Sequence, residues 1–159
     1  MIGTIRQVVP QLTGGVLAAG AIETGFNPRE ARAGSINVKI VYEPSEPYCG
    51  RAYVGLNPGE IEINYDRCAS ACGSTKVTPT AIAHEVGHAL GFWHVDRGIM
   101  TAVVSNHCSN VQFTEQERLH ARLAYRRPAG NADPDRDPTT YSTVQSSGPA
   151  PRIACPLGR

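Results

Sequence analysis

The sequence predicts an α+β fold, on three observations. Apolar residues near the N-terminus recur with a helical period, the stretch from 36 to 65 alternates with the period of a strand, and the helical period returns after Thr78 and again after Thr114. Ile2, Ile5, Val8, Val9 and Leu12 mark one face of the first helix, which Gly14-Gly15 stops. Pro10 must sit near the start of that helix or kink it. Val16 to Glu23 reads as a strand, although it is rich in Ala and Gly. Ile36, Val38, Ile40 and Tyr42 give a strong strand signal. Ala52 to Leu56 reads as a short strand, and Asn57-Pro58-Gly59 as a turn. Ile61, Ile63 and Tyr65 alternate with Glu62, Asn64 and Asp66. That pattern predicts a half-buried strand in a hairpin with the one before it.

Thr78 or Thr80 can cap the next helix, and Pro79 suits its first turn. Ile82, Val86, Ala89 and Leu90 supply its buried side, and it should end near Gly91. Residues 95–113 have no clean period. Thr114-Glu115-Gln116-Glu117 is a capping box opening a helix to about Arg127. Beyond Pro128 the chain is Pro, Asp, Gly, Ser and Thr, so 128–159 reads as a linker or extended tail.

The chain of 159 residues is 41% hydrophobic and 18% charged, a globular balance for one domain. A net charge of +1 creates no field for nucleic acid or anionic lipid. No apolar run approaches the roughly 20 residues of a membrane span. The five cysteines, Cys49, Cys68, Cys72, Cys108 and Cys155, suggest disulfides and an oxidising compartment, extracellular or periplasmic. A Cys-rich zinc knuckle fits poorly, because only Cys68 and Cys72 lie close together. Cys68–Cys72 would close a small loop and Cys49–Cys108 would link distant parts. Spacing leaves the connectivity open, and an odd number leaves one thiol over, with Cys155 the candidate. Arg6 and the stretch from Val16 imitate a signal peptide, but Pro10, Gly14 and Gly15 interrupt it. Secretion would then imply excision from a longer precursor.

The chemistry lies in HEVGHALGFWH, residues 84–94. On a helix, His84 and His88 stand one turn apart on one face and can reach one ion. Glu85 is rotated around the axis, where it can address water beside that ion. Gly91 can adopt the left-handed backbone that ends a helix, returning His94 as a third ligand. Three neutral imidazoles leave a fourth position open, which marks a catalytic zinc site. His107 and His120 have nothing linking them to it and read as ordinary histidines.

This string resembles the HExxHxxGxxH signature of the metzincin zinc metallopeptidases, and Met100 in GIMTA falls where that clan has its Met-turn. The order of elements and the short gap from His94 to Met100 are most similar to a bacterial matrixin-type, matrix metalloproteinase-like catalytic domain. The resemblance covers about residues 1–127. It implies a metzincin-like α+β fold: a twisted mixed sheet, mostly parallel with one antiparallel edge strand, an active-site helix, a Met-turn and a C-terminal helix. An upper subdomain would span 1–94 and a lower one 95–127. Departures are Val95 where matrixins carry Ser, Ala102 where astacins carry Tyr, and no histidine before His84 to hold a second zinc. The strand that usually precedes the first helix is not visible, which predicts a start inside the domain. The family's silencing cysteine-bearing pro-segment is not visible either.

The resemblance further implies a zinc metalloendopeptidase, a monomer acting on extended polypeptides, with one catalytic zinc, Glu85 as general base and Met100 as an apolar floor under the ligands. The edge strand would bind substrate through Ala52, Tyr53, Val54, Gly55 and Leu56. Ala102, Val103 and Val104 would wall the pocket beyond the scissile bond. Phe92 and Trp93 read as packing residues, and Asp96 either braces a ligand or is a plain loop carboxylate. Calcium follows only from the family, since no loop has EF-hand spacing. The rival readings are a zinc amidase acting on small or cell-wall peptides, and a non-catalytic binding module on the same fold.

Overall fold

The computed structural model describes residues 1–25, 33–55, 57–103, 107–109, 113–126 and 152–156, the last as backbone only. Helix α1 spans Ile2–Leu12, strand β1 Ile36–Val41, β2 Tyr48–Tyr53 and β3 Gly59–Asn64. Helix α2 follows at Tyr65–Ala71, α3 at Pro79–Ala89 and α4 at Glu115–Arg126, and β4 at Arg152–Pro156 closes the order. No helix among the described residues is long and apolar enough to cross a membrane.

The class is α+β with a mixed sheet, in strand order β1-β3-β2-β4. The expected mostly parallel sheet is corrected. Among the described strands only β1 and β3 run parallel, while β2 is antiparallel to both β3 and β4. The antiparallel strand is not an edge strand either, because β4 lies along its outer side. The hairpin partner of β3 begins earlier than predicted. Cys49 and Gly50 are weak strand formers that hide its first half, and Val54-Gly55 is already a turn.

β3 is one of the two interior strands, and its burial departs from the predicted half-buried pattern. Ile61 and Ile63 enter the core as expected, but Glu62 and Asn64 are buried too. Each has partners: Glu62 Oε1 lies 2.6 Å from the Tyr48 hydroxyl and 2.5 Å from Arg51 Nη2. Asn64 Nδ2 donates to the Glu43 carbonyl at 2.7 Å. Burial and the neighbouring carboxylates of Glu62 and Glu43 push the Tyr48 phenol well above its ordinary value, so it remains a donor.

Two elements were not anticipated. Tyr65 begins α2 instead of ending β3, and this short helix is held by burial of Cys68 and Ala69 and by a disulfide inside it and another at its end. The tail contributes β4, so 128–159 is not uniformly a linker. Conversely, Val16–Glu23 is not a strand. Its Ala- and Gly-rich sequence has little to pack, and its start is tied back to α1 where Leu17 N donates to Thr13 Oγ1 at 3.0 Å. Pro10 is accommodated inside α1, in its last turn.

The core forms where α3 packs on β2 and β3 and α1 packs on α3, with Val8, Leu12, Ala52, Ile61, Ile63, Ile82 and Val86 in it. The disulfides are Cys49–Cys68 and Cys72–Cys108, so neither Cys68–Cys72 nor Cys49–Cys108 forms. The first ties β2 to α2, and the second ties the end of α2 to the segment after the Met100 turn.

That second bridge spans 36 residues. A loop of this length restrains the unfolded chain by about 4 kcal/mol. Replacing both Cys72 and Cys108 by Ser should therefore lower unfolding free energy by an amount of that order. Urea titration followed by far-UV circular dichroism measures it, and an unchanged midpoint would show that the bridge contributes nothing.

Candidate metal centre

Helix α3 is built to be buried. Thr78 caps it, its Oγ1 accepting from Ala81 N at 3.1 Å, and Pro79 stands at the first helical position, where no N–H is needed. Every residue from Thr80 to Ala89 is buried. The helix stops where Gly91 takes φ +102°, as the sequence predicts. Its N–H and that of Phe92 bond back to the His88 and Gly87 carbonyls at 2.9 and 3.0 Å. The Tyr125 hydroxyl of α4 donates to the Leu90 carbonyl at 2.5 Å, and burial pushes this phenol up to about 12.

The bend returns His94 to the helix. The Nε2 atoms of His84, His88 and His94 lie 3.0, 3.1 and 3.3 Å from one another. Carbonyl oxygens set the tautomer of two rings: His84 Nδ1 is 2.6 Å from the Ile99 carbonyl, and His88 Nδ1 is 2.7 Å from that of Phe92. A carbonyl only accepts, so each Nδ1 carries the proton and each Nε2 presents a lone pair. Two lone pairs 3.0 Å apart repel unless a cation lies between them. Three tetrahedral ligand atoms about 2.0–2.1 Å from one ion would stand roughly 3.4 Å from each other, close to what is found. The three histidines thus form a cluster that could hold a metal ion.

Electrostatics keep these rings neutral, as ligation requires. Burial, and then the neighbouring His88 and His107, hold His84 well below its ordinary value. Burial lowers His88 to about 4 and depresses His94.

Glu85 follows His84 on α3, rotated about 100° around the axis. It is 2% exposed, and its carboxylate lies against Gly50 of β2, where any Cβ would overlap it. Gly50 was not singled out from the sequence. A glycine inside a strand is the signal that another group approaches closely. Gly87 within the motif has a similar cause: the Met100 sulfur occupies the space a Cβ would take. Met100 is buried there with Leu12 nearby, and its carbonyl accepts from Val95 N at 3.0 Å.

The loop carrying Met100 is fastened from α4. The predicted capping box is present: Glu117 N donates to Thr114 Oγ1 at 3.1 Å, and Thr114 N to Glu117 Oε2 at 2.7 Å. The other oxygen, Glu117 Oε1, accepts from Ile99 N at 2.7 Å. Since the Ile99 carbonyl receives His84, one carboxylate steadies both a helix start and the bond that orients a cluster histidine.

His107 corrects its sequence reading as an ordinary, unconnected histidine. It is 1% exposed, its ring centroid lies 4.3 Å from that of His84, and burial holds it below its ordinary value. Its carbonyl accepts from Thr78 Oγ1 at 2.7 Å, and the Ser109 carbonyl accepts from Thr80 Oγ1 at 2.9 Å. Both bonds stitch this segment to the first turn of α3. Trp93 is also corrected: it is 54% exposed, not a packing residue, whereas Phe92 does pack on the core. Asp96 is exposed.

Of the residues expected to bind substrate, Ala52 and Tyr53 lie within β2, opposite Ile153 and Arg152 of β4. Val54 is buried, and Gly55 N donates to the His88 carbonyl at 3.0 Å, linking the end of this hairpin strand to the cluster helix. Ala102 is half-buried and Val103 exposed on the segment leaving the Met100 turn. Leu56, Val104 and the side chain of His120 lie outside what the structure describes. No family model, curated protein or solved structure matches this chain.

Two outcomes are expected. The cluster histidines are depressed in the folded state relative to 6.5, so below that value the unfolded chain binds protons the folded chain does not. Their contribution is present above pH 6.5 and is lost as pH falls toward 4, so the melting temperature of metal-free protein should drop across that window. A flat profile there would contradict it. Gly50→Ala should cost about 1–3 kcal/mol by overpacking Glu85, read as a shift in urea midpoint. A neutral effect would mean that the two elements are not in contact.

Proposed function

We propose that this chain is a secreted zinc-dependent endopeptidase of the metzincin clan and matrixin type. The observation that carries the reading is the convergence of three imidazole Nε2 atoms within 3.3 Å, beside a buried glutamate on the same helix. The HExxHxxGxxH spacing, the glycine bend at Gly91 and Met100 packed against Gly87 support it. The two disulfides are compatible with an extracellular or periplasmic location.

His84, His88 and His94 would hold the metal. Zinc bound by three neutral imidazoles would supply Lewis acidity and lower the pKa of water toward neutrality. Glu85 accepts a proton from the attacking water as its oxygen bonds to the scissile carbonyl carbon. The carbon–nitrogen bond then breaks, and Glu85 returns the proton to the leaving amine. Gly50 lets the Glu85 carboxylate lie against β2, and burial confines it to that position. The His84 and His88 Nδ1–H bonds to carbonyls fix ring orientation and raise the basicity of the opposite nitrogen. An extended substrate would pair with β2 by strand addition, near Ala52 and Tyr53, with Val54 and Gly55 at the end of the strand. Ala102 and Val103 would border the pocket beyond the cleaved bond.

Glu85→Ala should retain about one zinc per chain while losing a factor on the order of 10²–10⁴ or more in turnover of denatured casein. His84→Ala should lose the metal itself. Elemental analysis paired with casein digestion, with and without chelator, measures both. Wild-type turnover by Glu85→Ala, or chelator-resistant digestion, would overturn the reading.

A further inference from the structure

Strand β2 has two edges. One is taken by β3, with Gly50, Arg51 and Ala52 opposite Ile63, Glu62 and Ile61. The other is taken by the chain's own β4, antiparallel, with Gly50, Arg51, Ala52 and Tyr53 opposite Cys155, Ala154, Ile153 and Arg152. Gly50, on this strand, is also the residue over whose face the Glu85 carboxylate lies, where a Cβ would stand. Residue 155 pairs with Gly50, so its backbone runs one strand spacing, about 4.7–4.9 Å, from that glycine.

From this juxtaposition we propose that β4 is an internal occupant of the strand site used by extended substrates, so that the chain's own C-terminal segment restrains its activity. The inference rests on the endopeptidase reading and adds to it a regulatory element. A strand edge offers one row of N–H and C=O groups, and two peptides cannot pair with it at once. Main-chain bonding is largely indifferent to sequence, so a segment that matches the register competes with any substrate that uses it. Being part of the same molecule, β4 competes at an effective concentration that a free peptide does not reach. Displacement of β4, or its removal by proteolysis, would expose the edge.

The test uses the full zinc-loaded chain and two variants, Ile153→Pro and Ala154→Pro. Consecutive strand residues point their N–H groups in opposite directions, so one of these prolines must remove a bond to β2. Hydrogen exchange of residues 48–53 should accelerate in at least one variant. In that variant a fluorescein-labelled synthetic peptide of residues 150–159 should bind, by anisotropy, at least about tenfold more tightly than to the parent, as expected if the edge is occupied nine-tenths of the time. The kcat/KM for denatured casein should rise by a similar factor, and unlabelled 150–159 peptide should suppress it competitively. Unchanged exchange in both variants, or an opened β2 that binds no peptide, would overturn the proposal. So would an opened, peptide-binding β2 with unaltered casein cleavage, which would make β4 a structural strand only. If zinc-loaded protein cleaves casein in no form, the endopeptidase reading fails instead, and the exchange and binding arms still decide whether the edge is a strand acceptor.

Discussion

Three Nε2 atoms held 3.0–3.3 Å apart, those of His84 and His88 presenting lone pairs to each other, set the terms for the rest of this molecule. Such an arrangement is repulsive on its own and survives only if the surroundings over-determine each ring. They do so from three directions. A helix with no exposed residue between Thr80 and Ala89 spaces two of the rings, a glycine bend delivers the third, and two backbone carbonyls clamp the Nδ1 atoms.

The remaining elements act largely by keeping α3 where it is. Thr78 and Thr80 bind the His107–Ser109 segment, which Cys108 anchors to α2. Met100 fills the notch left by Gly87, and Glu117 ties the backbone at Ile99, just before Met100, to the capped first turn of α4. Tyr125 reaches from α4 to the helix C-terminus. On the opposite side Gly50 brings β2 into contact with Glu85. The cluster is thus supported by parts of the chain separated by up to several tens of residues, through backbone carbonyls as often as through side chains.

The sheet has a second polar feature that the core tolerates because it is satisfied. Glu62 is buried on the interior strand β3, yet the Tyr48 hydroxyl and Arg51 guanidinium lie beside it, and Arg51 also stacks 4.3 Å over the Tyr48 ring. An unpaired carboxylate there would be strongly destabilising. The group that resolves it comes from β2, so the register of β2 against β3 is constrained by charge as well as by the apolar residues of Ile61 and Ile63.

Much of this was legible locally. The periods of α1, β1 and α4, the Thr78-Pro79 start of α3, the Gly91 stop and the Thr114–Glu117 capping box each depend on contacts within a few residues, and the chain carries them wherever it folds. The helical spacing of His84 and His88, with Gly91 and His94 at the right offsets, likewise makes a three-histidine cluster foreseeable. The disulfide pairing, the neighbours of β2, the burial of Glu62 and His107 and the exposure of Trp93 were not foreseeable. Each depends on which distant segments meet, and neither composition nor periodicity carries that information. Gly50 and Gly87 illustrate the division. The sequence supplies two residues without side chains, and only the tertiary packing shows that a carboxylate and a thioether claim the space they leave.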